Sequence, residues 1–396
     1  MHINQLAQTR LNELETQQRL RTLTPQHTNA IIDLSSNDYL GLSRNPELLN
    51  AGLQYAQKYG VGATGSRLLS GNRACFEYLE QQLAQFKHSE SALVFCSGYQ
   101  ANATVLTSLL SPHLLTTTPL VFTDRLIHAS LHHACQLAGI RQIRFRHNDM
   151  NHLQECLKKY NTPADQPKWI VTETVFGMDG DLCPVADLAE LALTHHAAVY
   201  LDEAHASGVF GVHGSGLSTL NHPAIHTLRE QGNWVAMGTL SKAFGVSGGY
   251  VACSATLQRY LINQCTGFMY STAPSPFTIG AILKALELMP KLEPTRKHLL
   301  QLSMQIRIAA QEMGLEIGQT ESQIIPIIVH STEQALSLHT HLAHDNILAP
   351  VIRPPTVPAG SSRVRLVLHS GLENTHMTQL IDSLNRWSTL NAHSVA

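Results

Sequence analysis

A lysine set among small and hydroxyl residues is the first feature with chemical content. Lys242 lies in Gly238-Thr239-Leu240-Ser241-Lys242-Ala243-Phe244-Gly245, followed by Val246-Ser247-Gly248-Gly249, directly after an apolar run. Small neighbours let a flat, bulky group approach the amine, and hydroxyls at a strand end can hold a phosphate. A desolvated lysine gives up its proton readily and attacks carbonyls. The same stretch also reads as a surface lysine in a Gly/Ser turn. Upstream, Val199-Tyr200-Leu201-Asp202-Glu203-Ala204-His205-Ala206-Ser207-Gly208 ends an apolar strand in Asp202, with His205 three residues on. A carboxylate at the end of a strand can face a pyridine nitrogen and keep it protonated; pyridoxal phosphate sites pair such an acid with a Schiff-base lysine. A turn satisfied by its own backbone, or a metal held by Asp202, Glu203 and His205, fits the same residues. A third piece, Leu93-Val94-Phe95-Cys96-Ser97-Gly98-Tyr99-Gln100-Ala101-Asn102, reads as strand, tight turn and helix start, where free N–H groups and the positive end of a helix dipole suit a phosphate. Neither G-x-x-x-x-G-K-[ST] nor G-x-G-x-x-G accompanies it, which argues against a Walker loop and against a nicotinamide dinucleotide.

These residues need a scaffold, and the composition allows a large one. The 396 residues carry a formal net charge of -2, 43% hydrophobic and 14% charged residues. Such a chain can bury a sizeable core and does not resemble a disordered one. Near-neutral charge leaves no electrostatic footprint for nucleic acid or an anionic membrane. Seven cysteines, at 75, 96, 135, 156, 183, 253 and 265, form no C-x-x-C pair, so neither a disulfide framework nor a thiolate zinc site is expected. His128-x-x-x-His132 lacks the glutamate of H-E-x-x-H, and no metal is expected there either. The polar start, Met-His-Ile-Asn-Gln, leads into Glu13 and Glu15. With no apolar run of about 18 residues and no signal-like segment, a cytoplasmic protein is expected.

Residues Ile3, Leu6, Ala7, Leu11 and Leu14 predict an amphipathic helix. From about Ala92 to Ser254, short apolar runs alternate with helical patterns: Ala92–Cys96, Leu120–Phe122, Ile143–Phe145, Trp169–Val171, Ala197–Leu201, Trp234–Met237 and Gly249–Ala252. Val185–His196 between two of them predicts a helix. This alternation predicts an α/β domain with a largely parallel sheet covered by helices. Pro290 and Pro294 mark a domain boundary, beyond which Ile324–Val329 and Val364–Leu368 predict strands of a smaller α+β domain. In Ser361-Ser362-Arg363-Val364-Arg365-Leu366, period two puts Arg363 and Arg365 on one face; a guanidinium there fits a planar carboxylate.

The three pieces resemble, in order and spacing, the fold-type I pyridoxal-phosphate enzymes, and the whole chain from about Arg21 to Leu372 resembles the α-oxoamine synthases. The segments that carry this are Leu34-Ser35-Ser36-Asn37-Asp38-Tyr39-Leu40-Gly41-Leu42, Gly65-Ser66-Arg67-Leu68-Leu69-Ser70-Gly71, Asp124-Arg125-Leu126-Ile127-His128-Ala129-Ser130, Thr172-Glu173-Thr174-Val175-Phe176-Gly177-Met178-Asp179-Gly180, the Lys242 segment, and Arg353-Pro354-Pro355-Thr356-Val357-Pro358-Ala359-Gly360. The resemblance implies a small domain that includes residues 1–44, a large pyridoxal-phosphate domain over 45–288 and the remainder of the small domain over 289–396.

It also implies roles. Lys242 would carry the cofactor and move the substrate Cα proton, Asp202 would pair with the pyridine nitrogen, His205 would hydrogen-bond the phenolic oxygen, and His128 would lie on the ring face beside the substrate. Gly98, Tyr99 and Thr239 would hold the phosphate, with Ser271 and Thr272 reaching the phosphate of a neighbouring subunit in a homodimer. Arg365, with Asn37, would bind the amino-acid carboxylate; Arg21, Arg353 and Thr356 would contact the acyl substrate. The implied reaction joins L-alanine to a pimeloyl thioester on coenzyme A or a carrier protein. A sister synthase using another amino acid or acyl thioester, or a non-catalytic paralogue, is the alternative. The family pattern usually has Ser at Gly177 and His at Phe76; the first change removes a cofactor contact, and the second reads as repacking.

Overall fold

The computed structural model describes residues 2–23, 32–160 and 166–392. The described chain divides into two compact units. One holds residues up to 36, Met178–Gly180 and Leu300 onward; the other holds Asn37–Gly177 and Asp181–Leu299. The divisions therefore fall after 36 and after 299, whereas the resemblance implies 44 and 288. Pro290 and Pro294 do not break the chain. Pro290 sits in a single 3-10 turn, Met289–Leu292, and Pro294 is the second residue of the helix Glu293–Glu312, a position where the missing N–H costs nothing.

The strands are β1 (Ile32–Asp33), β2 (Ser91–Phe95), β3 (Leu120–Asp124), β4 (Gln142–Phe145), β5 (Lys168–Glu173), β6 (Ala197–Asp202), β7 (Trp234–Thr239), β8 (Gly249–Cys253), β9 (Ile324–His330), β10 (Ile347–Leu348), β11 (Val351–Ile352) and β12 (Ser362–Val367). The larger unit is built on a seven-stranded sheet of order β2-β8-β7-β6-β5-β3-β4. Its strands are the seven apolar runs. Neighbours pair in parallel except around β8, which runs against both β2 and β7. Helices cover both faces, because strands such as β5 and β7, buried at every residue, leave no face for water. One core contains Val105, Leu109, Val171, Tyr200, Val235 and Val251; the other contains Phe122, Leu157, Ile170, Leu188, Val199 and Ile225. The predicted helix is present as Val185–Thr194.

The smaller unit carries a three-stranded antiparallel sheet, β11-β12-β9, and the short parallel pair β1-β10. The two strands expected there are β9 and β12. The N-terminal helix forms over Ile3–Thr16, yet none of its residues is buried. All seven cysteines are free thiols. No described helix is long and apolar enough to cross a membrane.

Candidate functional site

Six strands of the sheet point their carboxyl ends the same way, and five turns at that end carry the chemical groups. Cys96–Gly98 follows β2, Arg125–His128 follows β3, Thr174–Gly177 follows β5, Glu203–His205 follows β6 and Leu240–Lys242 follows β7. A parallel arrangement collects such turns on one rim, which is where open α/β sheets bind ligands.

Asp202, the last residue of β6, is 3% exposed. Its Oδ1 accepts from the Ala204 amide at 2.8 Å and its Oδ2 from Asn102 Nδ2 at 2.7 Å. Each oxygen keeps a second lone pair for another donor. Asn102 also donates to Ser130 Oγ at 2.9 Å, and Ser130 Oγ lies 2.7 Å from His128 Nδ1. The Tyr200 hydroxyl donates to Asn102 Oδ1 at 3.0 Å. Asp202 and His128 are thus joined through two buried polar residues, Asn102 and Ser130. His128 caps the helix Ala129–Leu137 through Ser130. It keeps much of its surface exposed, although crowding by its neighbours lowers its pKa; Asp202 acts in the opposite sense and Lys242 in the same one.

Lys242 is half-buried. Its Nζ lies 2.8 Å from His205 Nε2, and His205 Nδ1 lies 2.6 Å from the Tyr39 hydroxyl. That hydroxyl donates to Asn37 Oδ1 at 3.1 Å. Lys242, His205 and Asn37 are therefore connected, with Tyr39 as the link. Gly177 stands against the His205 ring.

Ser97 caps the helix Gly98–Leu109 by accepting from Gln100 N. The amides of Gly98 and Tyr99 belong to the first turn, which has no intrahelical acceptor. A Cβ on Gly98 would meet Cβ and Oγ1 of buried Thr239 at an ordinary van der Waals distance of 3.4 Å, so the helix start and the end of β7 lie side by side. Thr239 Oγ1 lies 2.8 Å from Ser241 Oγ. Tyr99 meets His128 edge-on, with ring centroids 6.2 Å apart. The Thr272 carbonyl accepts from Cys96 Sγ at 3.1 Å, and Thr272 bridges Ser66. Ser271 is half-buried beside it.

Pyridoxal phosphate is tested by this donor set. A buried carboxylate with spare acceptor capacity, an amine, an imidazole and a helix start beside a threonine match its ring nitrogen, aldehyde, ring face and phosphate. The residues fit. Among the described residues no group of three or more His, Cys, Asp or Glu is arranged to hold a metal ion.

No motif or spacing in the sequence marks Tyr39, Asn102, Ser130 or Glu173 for a role, although each lies close to residues that are so marked. Glu173 is buried at the end of β5, paired in register with Asp202 on β6. Burial, then Asp202, push its carboxyl pKa well up, against the pull of Lys242. Phe76 is fully buried under the Arg67 guanidinium, 4.2 Å from the ring centroid, while Arg67 makes a bidentate pair with Glu80 at 2.7 and 3.0 Å. Its role is packing.

In the smaller unit Arg21 donates to Thr356 Oγ1 at 2.9 Å and Arg353 donates to the Leu20 carbonyl at 3.0 Å. The three residues named for the acyl substrate lie together. Arg363 is engaged by Asp179 at 2.5 Å and by the Met178 carbonyl at 3.2 Å. Arg365 lies two residues on in β12, buried, with its amide on the Pro350 carbonyl.

The fold and these turns define a class: the chain belongs to the aminotransferase class I and II family, whose model matches residues 29–384. Within it, the 8-amino-7-oxononanoate synthase of Gluconacetobacter diazotrophicus is 43% identical over 389 residues, covering 95% of each chain. A solved 8-amino-7-oxononanoate synthase from Francisella tularensis matches with a TM-score of 0.78 at 26% identity, over 93% of this chain and 100% of that one. A serine palmitoyltransferase from Sphingomonas wittichii matches at 0.86 and 26% identity, over 98% and 97%. The chain is a pyridoxal-phosphate-dependent transferase of the α-oxoamine synthase class.

Proposed function

We propose that this enzyme condenses L-alanine with a pimeloyl thioester, giving 8-amino-7-oxononanoate, carbon dioxide and the free thiol, a step of biotin biosynthesis. The observation that carries this reading is the network from buried Asp202, Asn102 and Ser130 to His128 on the same rim as Lys242 and His205, in a chain 43% identical to a synthase of that name.

When bound, pyridoxal phosphate supplies an electron sink for a carbanion at the amino-acid Cα. Every other task falls to the chain. Lys242 would hold the group and move the Cα proton. Asp202 would keep a proton on the ring nitrogen; Asn102 and Ala204 aim its two oxygens. His128 would lie beside the ring. The Gly98 and Tyr99 amides and Thr239 would take the phosphate at a dipole end. Arg365 would bind the amino-acid carboxylate, and a fixed carboxylate orients the substrate, an entropic gain. Arg21, Arg353 and Thr356 receive the acyl chain. In the net reaction a Cα–C bond forms to the thioester carbonyl as the Cα–H bond breaks, the thiol leaves with a proton, the alanine carboxylate departs as carbon dioxide, and Cα takes a proton in its place, so that one proton is drawn from solvent. The active form is a homodimer in which Ser271 and Thr272 serve the neighbouring phosphate, in the cytoplasm.

The deciding experiment is mass spectrometry of the product from purified enzyme, pyridoxal phosphate, alanine and pimeloyl-CoA or pimeloyl-carrier protein, with other amino acids and acyl thioesters alongside. The expected product is 8-amino-7-oxononanoate. Turnover only with glycine or serine, or only with short acyl groups, would replace it with a sister reaction. Lys242→Ala should abolish turnover and the visible absorbance that wild-type enzyme acquires with the cofactor.

A further inference from the structure

His205 is engaged at both ends of its ring, and its two neighbours constrain which nitrogen carries the hydrogen. Nδ1 lies 2.6 Å from the Tyr39 hydroxyl and Nε2 lies 2.8 Å from the Lys242 amine. Tyr39 is fully buried, His205 nearly so. A phenol has one proton to give, and Tyr39 directs it to Asn37 Oδ1 at 3.1 Å. Towards His205 its oxygen then acts as an acceptor, so Nδ1 carries the hydrogen. A neutral imidazole has a single N–H. Nε2 is therefore the bare nitrogen, and it accepts from the Lys242 amine.

Gly177 supplies an independent observation. A Cβ built there would stand 2.4 Å from His205 Nε2, 3.0 Å from Cδ2 and 3.2 Å from Cε1. The Gly177 backbone lies outside the left-handed region, so its conformation does not require glycine. What requires glycine is the imidazole edge lying where a side chain would start. His205 cannot swing away at low cost, because its far nitrogen is tied to Tyr39.

We propose that Tyr39 and Gly177 are positioning residues that hold His205 as the Nδ1–H tautomer with its Nε2 lone pair directed at Lys242. The chemical consequence is a constraint on whatever faces Nε2: that group must bring the proton. The Lys242 amine meets the constraint. So would a protonated phenolic oxygen of the cofactor, and this last clause alone rests on the function proposed above.

The test uses the full chain without cofactor, labelled with 15N-histidine. His205→Gln identifies the signals of His205 in long-range 1H–15N spectra. The expected wild-type pattern is a pyrrole-type Nδ1 and a pyridine-type Nε2. Tyr39→Phe should lose the single tautomer, and Gly177→Ser should shift the Nε2 signal as the ring is displaced from Lys242. Melting curves of both variants check that they fold; should either fail, the wild-type spectrum still decides the tautomer. A protonated Nε2 with a bare Nδ1 in the wild type overturns the proposal. An unchanged spectrum in Tyr39→Phe removes Tyr39 from it, and an unchanged one in Gly177→Ser removes Gly177. Adding pyridoxal phosphate separates the two readings. A normal tautomer with no visible absorbance would sink the proposed function alone, and the reverse result would sink this inference alone.

Discussion

Asn102 does more for the candidate site than its single amide suggests. Its Nδ2 donates both to Asp202 and to Ser130, so one side chain fixes the carboxylate and, through Ser130, the His128 ring. Hydrogen bonds to charged groups contribute about 1.5–3 kcal/mol each, and a buried partner left unsatisfied costs more than the bond was worth. Asn102→Leu should therefore weaken pyridoxal phosphate binding by at least about tenfold, measured by fluorescence titration, while the far-ultraviolet circular dichroism is unchanged. Binding equal to wild type would show that Ala204 alone suffices to hold Asp202. Asp202→Asn removes the charge while keeping the shape. It should keep cofactor bound and lower turnover by orders of magnitude, because a neutral amide cannot keep a ring nitrogen protonated.

At the scale of elements, the turn after β6 is clamped from below. Glu203 is fully buried. It pairs with buried Lys87 at the end of the helix Ala74–Phe86, and accepts from the Ser218 amide at 2.7 Å and the Ser218 hydroxyl at 2.6 Å. Lys87 also donates to the Ser215 carbonyl. Burial pushes the Lys87 pKa down, against the attraction of Glu203. One ion pair thus ties a helix end, the Asp202–His205 turn and the loop to Ser218 together. Removing one member of a buried pair strands the other charge and costs about 3–5 kcal/mol. Lys87→Met should lose about that much in urea unfolding, and Lys87→Met with Glu203→Gln should regain part of it. Equal stability of Lys87→Met and wild type would mean that the turn holds without the pair.

At the scale of the molecule, His147 joins three crossovers of the sheet. Its Nδ1 lies 3.0 Å from Asp124 at the end of β3 and its Nε2 2.7 Å from Asp181 beyond β5. Burial disfavours the imidazolium, yet hydrogen bonds and charge from both aspartates outweigh it and raise the His147 pKa to about 10. A pKa raised on folding means that the folded form holds its proton longer than the unfolded chain, whose histidines titrate near about 6.5. The stabilisation is complete below that value and is lost as pH climbs to about 10. Global stability should fall between those limits, and His147→Gln should flatten that part of the profile in denaturant titrations across pH. A wild-type profile level over the same range would remove His147 from the account.

What could be read along the chain was local. Lys242, Asp202, His205 and Gly98 each follow an apolar run, and a strand end followed by a turn needs no distant residue to be recognised. The seven strands and the change to a smaller domain were legible for the same reason, since period and punctuation are properties of neighbours. Tyr39, Asn102, Ser130 and Glu173 carry no such mark. For Asn102, Ser130 and Glu173 the importance comes from the strand order β2-β8-β7-β6-β5-β3-β4, which is not chain order and sets Asn102 beside Asp202, one hundred residues later; for Tyr39 it comes from a turn outside the sheet that brings its hydroxyl to His205. The space that Gly177 leaves for His205 was hidden likewise, because a missing side chain acquires meaning only when something else occupies its place.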